Sequence, residues 1–327
     1  MVNQEYFYTF GFMKKLLNLS LVIVLWNSVL AQDPLFTQKT GNINHFNPAL
    51  VGLQSNFGVQ LNYRNQWPSF PNNPQTASLL TNYNFNNSLG VGLELKTDVI
   101  GILKKDNLKA NVNYHKNFGN IETRYGLAAG VGQKKIDISN LRFEDQIDPG
   151  TGFVNPASEP FVNEPKVYAT LDIGASAYYK GFMLIGAILQ LNEPTVLSSG
   201  SQLSKRIVGS LAYMKEFDAI ALSGMATFQH QNVSSILETQ VFGQYRFVKL
   251  GLGYHQVFGS FSTTDFYSAT VGIQFDKFSV GYSYDDDPFD TSTSNIVSRG
   301  THQATAAWYI KGLSKEKGMS RLMNVLM

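Results

Sequence analysis

The sequence predicts an all-β protein, a transmembrane antiparallel β-barrel of about 14 strands with an N-terminal plug-like segment. Three observations carry this. Short stretches along most of the chain alternate apolar and polar residues, which puts the two kinds on opposite faces of an extended strand. In one of them Leu89, Val91, Leu93 and Leu95 share a face, with Gly90, Gly92, Glu94 and Lys96 opposite. The connections between stretches alternate between two or three residues and much longer loops, the habit of bacterial outer-membrane barrels. After Ala31 no apolar run approaches the roughly 20 residues a membrane-spanning helix needs, so any insertion must use strands in a closed sheet.

Composition agrees. Charged residues make up 15% of the 327 and aromatic residues 13%, fewer charges than the roughly 25% of soluble domains. A soluble β-sandwich is the alternative; a lipid-facing wall around a wet lumen accounts for the same values. A formal net charge of +2 gives no field for gripping nucleic acid. Cysteine is absent, which leaves no disulfide framework, thiolate nucleophile or Cys-based zinc site, and no lipoprotein anchor.

Residues 1–31 read as a secretory signal peptide. Lys14-Lys15 precede an apolar stretch from Leu16 to Leu30, and Val29-Leu30-Ala31 forms the cleavage site. The stretch is too short for the competing reading, a membrane anchor. Met1 to Phe12 sit awkwardly before the basic pair, so translation is expected to start at Met13, and the mature chain to begin at Gln32. Residues 32–57 contain Asn47-Pro48 and Gly52 without a sustained period; they are expected to form a plug or periplasmic lead-in. Residues 58–311 are assigned to the barrel, and 312–327 to a periplasmic basic tail.

In the first strand Val59, Leu61 and Tyr63 oppose Gln60, Asn62 and Arg64; the second covers 76–85 and the third 89–95. Leu108 to Tyr114 mark the fourth, Thr123 to Val131 the fifth and Ala169 to Tyr179 the sixth. The seventh, 182–191, is apolar almost throughout, so its facing stays open. Seven more follow, around Ile207 to Tyr213, Ile220 to Phe228, Leu237 to Tyr245, Val248 to Tyr254, Tyr267 to Phe275, Phe278 to Tyr284 and His302 to Ile310. Short connections at 86–87, 180–181, 216–218, 246–247 and 276–277 alternate with long ones at 66–75, 137–166, 192–204, 257–264 and 286–300. Short turns of such barrels are periplasmic and long loops extracellular, so both termini are expected in the periplasm of a cell with an outer membrane. Tyr63, Tyr114, Tyr125, Tyr179, Tyr213, Tyr245, Tyr254, Trp308 and Tyr309 suit interfacial girdles, or express ordinary β-propensity. Arg64, Glu94, Lys96, Lys109, Arg124, Asp172 and Glu238 fall on the lumen face. Leu93→Arg is therefore expected to block assembly and Glu94→Arg to leave it intact.

No catalytic residue, metal ligand or cofactor is assigned. His45, His115, His230, His255 and His302 lie on separate elements with no metal-binding spacing. There is no GxSxG, and the strand assignment brings no Ser, His and Asp/Glu set together. The glycine-rich 126–132 continues a strand and opens no helix; its small inward residues are read as room for a bulky neighbour or plug. Asp285-Asp286-Asp287 with Asp290 offers the oxygens calcium takes, although a solvated loop explains the run as well. After Ile310 come Lys311, Lys315, Lys317 and Arg321, then Leu322, Met323, Val325 and Leu326, either a short amphipathic helix or a frayed end.

Several motifs resemble the PorP/SprF family of type IX secretion system membrane proteins. Gln32-Asp33-Pro34-Leu35-Phe36-Thr37-Gln38 is similar to the family's mature start, and Phe46-Asn47-Pro48-Ala49-Leu50-Val51-Gly52 to its Asn-Pro-Ala segment. Tyr63-Arg64-Asn65-Gln66-Trp67 and Pro74-Gln75-Thr76 resemble its first strand and loop, and Val280-Gly281-Tyr282-Ser283-Tyr284-Asp285 and Gly300-Thr301-His302-Gln303 its closing strands. Gln303 stands where the family commonly has an acid, and the basic tail is extra. From these motifs Asn47, Pro48, Gly52, Arg64, Gln66, Trp67, Pro74, Thr76, Gly281, Tyr282, Tyr284, Asp285, Gly300 and His302 are candidate partner or plug contacts.

The resemblance implies a non-catalytic outer-membrane component of protein export and gliding motility in Bacteroidota. It implies as partners a secreted surface adhesin with a C-terminal sorting domain, and the periplasmic secretion ring or a peptidoglycan-binding linker. Outer-membrane lipid is the remaining partner. A passive porin or small-solute transporter is the alternative function. The segment Asn47 to Gly52 is expected to pack inside the lumen and close it.

Overall fold

A computed structural model describes residues 33–85, 88–136, 147–148, 152–153, 165–197, 200–259, 263–286, 300–310 and 318–326. The signal peptide, the start at Met13, most of 137–166, Asp287, Asp290, Lys311, Lys315 and Lys317 lie outside the described residues. Fourteen strands close a single antiparallel barrel. In chain order they are β1 Phe57–Gln66, β2 Gln75–Phe85, β3 Leu89–Ile100, β4 Leu103–Phe118, β5 Ile121–Ile136, β6 Lys166–Tyr179 and β7 Phe182–Leu189. They continue with β8 Arg206–Phe217, β9 Ile220–Gln231, β10 Ser234–Tyr245, β11 Val248–Phe258, β12 Thr263–Gln274, β13 Phe278–Asp285 and β14 Thr301–Tyr309. Each strand pairs with its sequence neighbours, and β14 pairs back onto β1, so no edge is left open. Ile147–Asp148 and Gly152–Phe153 pair separately as a short ribbon.

The two-residue period decides what each wall faces. Leu93, Leu127, Leu184, Leu211, Leu250 and Tyr267 point outward and are exposed, while all seven charged residues assigned to the lumen are buried. In β7 the open facing resolves: Phe182 and Leu184 point outward, and Met183, Ile185, Ala187 and Leu189 point into the barrel. Tyr309 departs from the expected girdle. Trp308 faces outward, so the next residue must point inward, and Tyr309 is buried.

At one end of the barrel every connection is two or three residues long. The opposite end is mixed, against the expected strict alternation: 101–102 and 232–233 are as short as any turn, while 137–165, 190–205 and 286–300 are long. Strands β3, β4, β9 and β10 run further than their apolar core stretches suggested, and so absorb residues otherwise read as loop.

Residues 33–56 run inside the ring of strands. Asp33 bonds Lys105 and Gln190 near the loop end, Asn44 bonds Glu94 midway, and Asn84 and Asn82 reach the carbonyls of Gly52 and Ser55 at the turn end. The tail is not a frayed end. It forms the helix Met319–Val325, with Met319, Leu322, Met323, Val325 and Leu326 buried in a cluster with Leu53, Met183, Met214, Met225 and Phe242. Each large apolar side chain buried there contributes roughly 1.5–3 kcal/mol relative to exposure. Glu122 accepts the Met319 N–H at 3.1 Å, and Lys249 Nζ donates to the Asn324 carbonyl, so barrel side chains partner backbone groups that both helix ends leave unpaired. The first described residue and the C-terminal helix thus occupy opposite ends of the barrel, contrary to the expectation that both termini share the turn end.

Leu93→Arg places a cation on the lipid wall, at about 2–4 kcal/mol near the midplane. It is expected to abolish the heat-resistant barrel band on gels. Glu94→Arg is not harmless, contrary to the expectation from facing alone, because it removes the acceptor of Asn44, whereas Glu94→Gln keeps an acceptor and is expected to assemble normally. Equal loss of the band in Leu93→Arg and Glu94→Gln would refute this facing.

Candidate functional site

The inner wall of this barrel is dense with charges and amides, and the inner segment is built to satisfy them. At Asn47-Pro48-Ala49 the Asn47 side chain accepts from Ala49 N at 2.8 Å, capping the short 3₁₀ turn Pro48–Leu50. The same side chain donates to the carbonyls of Gly186 and Ala175, at 2.9 and 3.3 Å. Two register-paired wall glycines make room for the turn. A Cβ on Gly174 would fall on the Asn47 side chain, and one on Gly126 on the Ala49 backbone. Arg124 donates to the Ala49 carbonyl at 3.0 Å, and Asn113 to that of Val51 at 2.7 Å. These bonds reach backbone carbonyls that a short turn leaves unpaired.

Nearer the loop end, Gln303 Oε1 accepts from Thr37 N at 3.0 Å and from Gln38 N at 3.2 Å, while its Nε2 donates to Asn62 at 2.8 Å. The amide therefore fills the acceptor role a carboxylate would have and adds a donor that a carboxylate lacks. Thr37 donates to Asp285 at 2.6 Å, and Gln38 packs where a side chain at Gly281 would stand. His45 lies between Lys96 and Arg206, 3.0 Å from Lys96 Nζ and 2.6 Å from Arg206. Burial, then the Arg206 and Lys96 charges, push its pKa well below the ordinary imidazole value. Burial works to raise the Asp33 carboxyl, but Lys105, Lys96 and Arg206 together hold it well below the usual carboxylate range.

Lys39 anchors the segment to another wall. Its ammonium is 2.9 Å from Glu238, which also meets His255 Nδ1 at 3.1 Å, and His255 Nε2 lies 2.8 Å from Ser268 Oγ. The strands thus do bring a Ser, His and Glu set together, contrary to the sequence reading, because Glu238 and His255 face each other in register on β10 and β11. This chain has the bond order of a hydrolase triad, but its surroundings serve packing. Glu238 also holds Lys39 and Gln229, His255 stacks flat on Phe266, and all three members are buried. Among the described residues no cluster of three or more His, Asp or Glu has a metal-holding arrangement.

The candidate residues divide by location. Asn47, Pro48, Gly52, Arg64, Thr76, Gly281 and Asp285 face the lumen; Arg64 donates to Gln66 at 2.7 Å and Thr76 to Asp98 at 2.6 Å. Gln66, Trp67, Pro74 and Gly300 stitch the loop end of the closing seam: Gln66 N donates to Pro74 O at 2.9 Å and Trp67 N to Gly300 O at 2.8 Å. Gly300 has φ 65°, a conformation that favours glycine. Tyr282, Tyr284 and His302 form a third group on the outer face, with Tyr282 Oη 2.6 Å from His302 Nδ1. Lys39, His45, Gly174, Glu238, His255, Ser268 and the C-terminal helix were not singled out as site residues in the sequence, since isolated polar residues at alternate positions carry no mark of their partner.

A profile of the family described as "Type IX secretion system membrane protein PorP/SprF" matches residues 28–308. Among curated proteins, a glycogen synthase of Fervidobacterium nodosum is 33% identical over 110 residues, which span 29% of this chain and only 23% of that enzyme. Among solved structures, Omp33 of Acinetobacter baumannii aligns at TM-score 0.48 with 10% identity, over 79% of this chain and all of its own. BamA of Haemophilus ducreyi lacking three POTRA domains aligns at 0.37 with 7% identity, over 77% of this chain and 70% of its own. OmpF of Salmonella typhi aligns at 0.35 with 10% identity, over 77% and 96%.

The absence of cysteine makes a labelling test clean. Ala49→Cys is expected to stay unreactive to maleimide in the folded barrel and to become reactive when combined with Gly174→Val, which removes the room for Asn47; an unreactive double variant would refute the fit. Lys39→Met leaves a buried carboxylate without its cation, a loss of about 3–5 kcal/mol. It is expected to lower the melting temperature strongly, Ser268→Ala only slightly, and labelling of Ser268 by a fluorophosphonate would overturn the packing role.

Proposed function

This chain belongs to the PorP/SprF family of type IX secretion system membrane proteins, and on that footing we propose that it is a non-catalytic outer-membrane component. In this reading it supports secretion or surface anchoring of a large adhesin by binding that protein on one side and periplasmic partners on the other. The observation that carries the reading is the filled lumen. The inner segment and the C-terminal helix take up hydrogen-bonding groups and apolar surface that an open pore would leave to water. A barrel filled in this way acts through the surfaces at its two ends.

Among the described residues the loop end offers 67–74, 190–197 and 200–205, and it is the natural side for an exported domain if long loops are extracellular. The turn end offers the six tight turns to periplasmic partners, while the C-terminal helix is buried among inward side chains. The inner segment serves as a plug that closes the lumen. The rival, a passive porin for anionic solutes, draws on the inward Lys and Arg residues, yet several are engaged: Lys105 with Asp33, Lys109 with Asp172 and Arg124 with the Ala49 carbonyl.

Deleting the gene is expected to remove surface adhesins and leave small-solute uptake unchanged, measured by surface proteomics and a uptake assay in parallel. The reverse pattern would support the porin. Purified protein in planar bilayers is expected to give no large, stable single-channel current, and such a current would refute the plug.

A further inference from the structure

The lipid-facing wall carries a groove that neither the filled lumen nor the partner-binding ends explain. It crosses β8 to β13 on the outside of the barrel and has a volume of about 910 Å³, with walls that are almost entirely apolar. Two adjacent rows of strand register define it. One runs Tyr213, Gly224, Val241, Leu252, Ala269, Tyr284; the other runs Lys215, Leu222, Gly243, Leu250, Val271, Tyr282. Lys215 and Tyr213 lie toward the turn end of β8, and Tyr282 and Tyr284 toward the loop end of β13, so the groove slants across the membrane-facing wall.

Its floor consists of residues with little or no side chain, and the fold does not require them there. A Cβ at Gly224 would meet nothing closer than 3.7 Å, and one at Gly243 nothing closer than 3.4 Å. Neither has the positive φ that favours glycine. The lumen glycines Gly126 and Gly174 differ: a Cβ on either would collide with the inner segment. At Gly224 and Gly243 the small residue creates outward space and nothing else.

One end of the space is cationic. Lys215 lines the groove, two residues before the turn end of β8, and sits 5.2 Å from the Phe217 ring centroid. Its neighbour Glu216 is taken by Arg321 at 2.6 Å. The same pairing recurs along this rim with Lys180 over Tyr179, Arg246 over Tyr245 and Lys116 over Phe118.

We propose that this groove is a binding site for an anionic glycerophospholipid of the leaflet at the turn end. One acyl chain lies between Leu222, Val241, Leu250 and Leu252 over the Gly224 and Gly243 floor, and the phosphate meets Lys215. An apolar channel in lipid fills with an acyl chain in any case; the cation at its mouth is what selects an anionic headgroup.

The test uses the full mature chain in nanodiscs containing equal phosphatidylglycerol and phosphatidylcholine, with lipid A in a parallel set, followed by native mass spectrometry of retained lipid. Wild type is expected to retain phosphatidylglycerol several-fold over phosphatidylcholine. Lys215→Gln is expected to lose that preference. Gly224→Leu with Gly243→Leu is expected to retain neither lipid while keeping its heat-resistant barrel band. Equal retention of both lipids by wild type, undiminished retention by the double leucine variant, or a preference for lipid A would each overturn the assignment. Should the leucine variant fail to assemble, Lys215→Gln decides alone: an unchanged headgroup preference refutes the site.

Discussion

The polar inner wall is the constraint from which the rest of the structure follows. A strand that shows leucine to lipid on one face must show something to the lumen on the other. Here it shows lysine, arginine, glutamate, aspartate and amides at a density that needs partners. Water in an open channel is one solution. This chain uses its own N-terminal segment, which carries Asp33 to Lys105, Lys39 to Glu238, Asn44 to Glu94 and a run of carbonyls to Arg124 and Asn113. Ion pairs this deeply buried add little net stability compared with apolar packing, but losing one member is severe. They tie the N-terminal segment to β4 through Lys105 and to β10 through Glu238.

The filling has two chemically distinct halves. Toward the loop end it is polar and charged, and Gln303, Asp285 and Arg206 reach the inner segment there. Toward the turn end it becomes apolar, because β7 to β10 turn Met183, Ile185, Met214, Met225 and Phe242 inward against the C-terminal helix. The family motifs at the two ends of the sequence meet along the seam between β1 and β14, where Tyr63 to Gln66 lie opposite Thr301 to Ala304. Closure of the barrel and seating of the segment are therefore built from neighbouring residues of the same seam.

Much of this architecture is legible in the chain. Alternation with period two is a local property: once Leu93 faces lipid, Glu94 must face the lumen whatever stands beyond it. Strand number and the inward placement of seven charged residues follow from that rule, whereas the family motifs are legible separately, as specific residues in order. The rule fails where a strand is apolar on both faces, as in β7, and where its register runs past the last apolar residue, as in β3 and β9. Tyr309 is aromatic yet inward, because parity with outward-facing Trp308 overrides aromatic character.

What the sequence could not determine is which inward group meets which. Lys39 and Glu238 stand 199 positions apart, and Glu238, His255 and Ser268 align only when three strands take their register. The Asn47 turn needs the glycines at 126 and 174, but each reads in isolation as a weak point in a strand. The helix Met319–Val325 is too short to be stable alone and forms against the apolar half of the lumen, with Glu122 and Lys249 at its ends. Local periodicity is written into consecutive residues and sets the walls; the contents of the barrel depend on long-range partners, and only the tertiary structure brings those together.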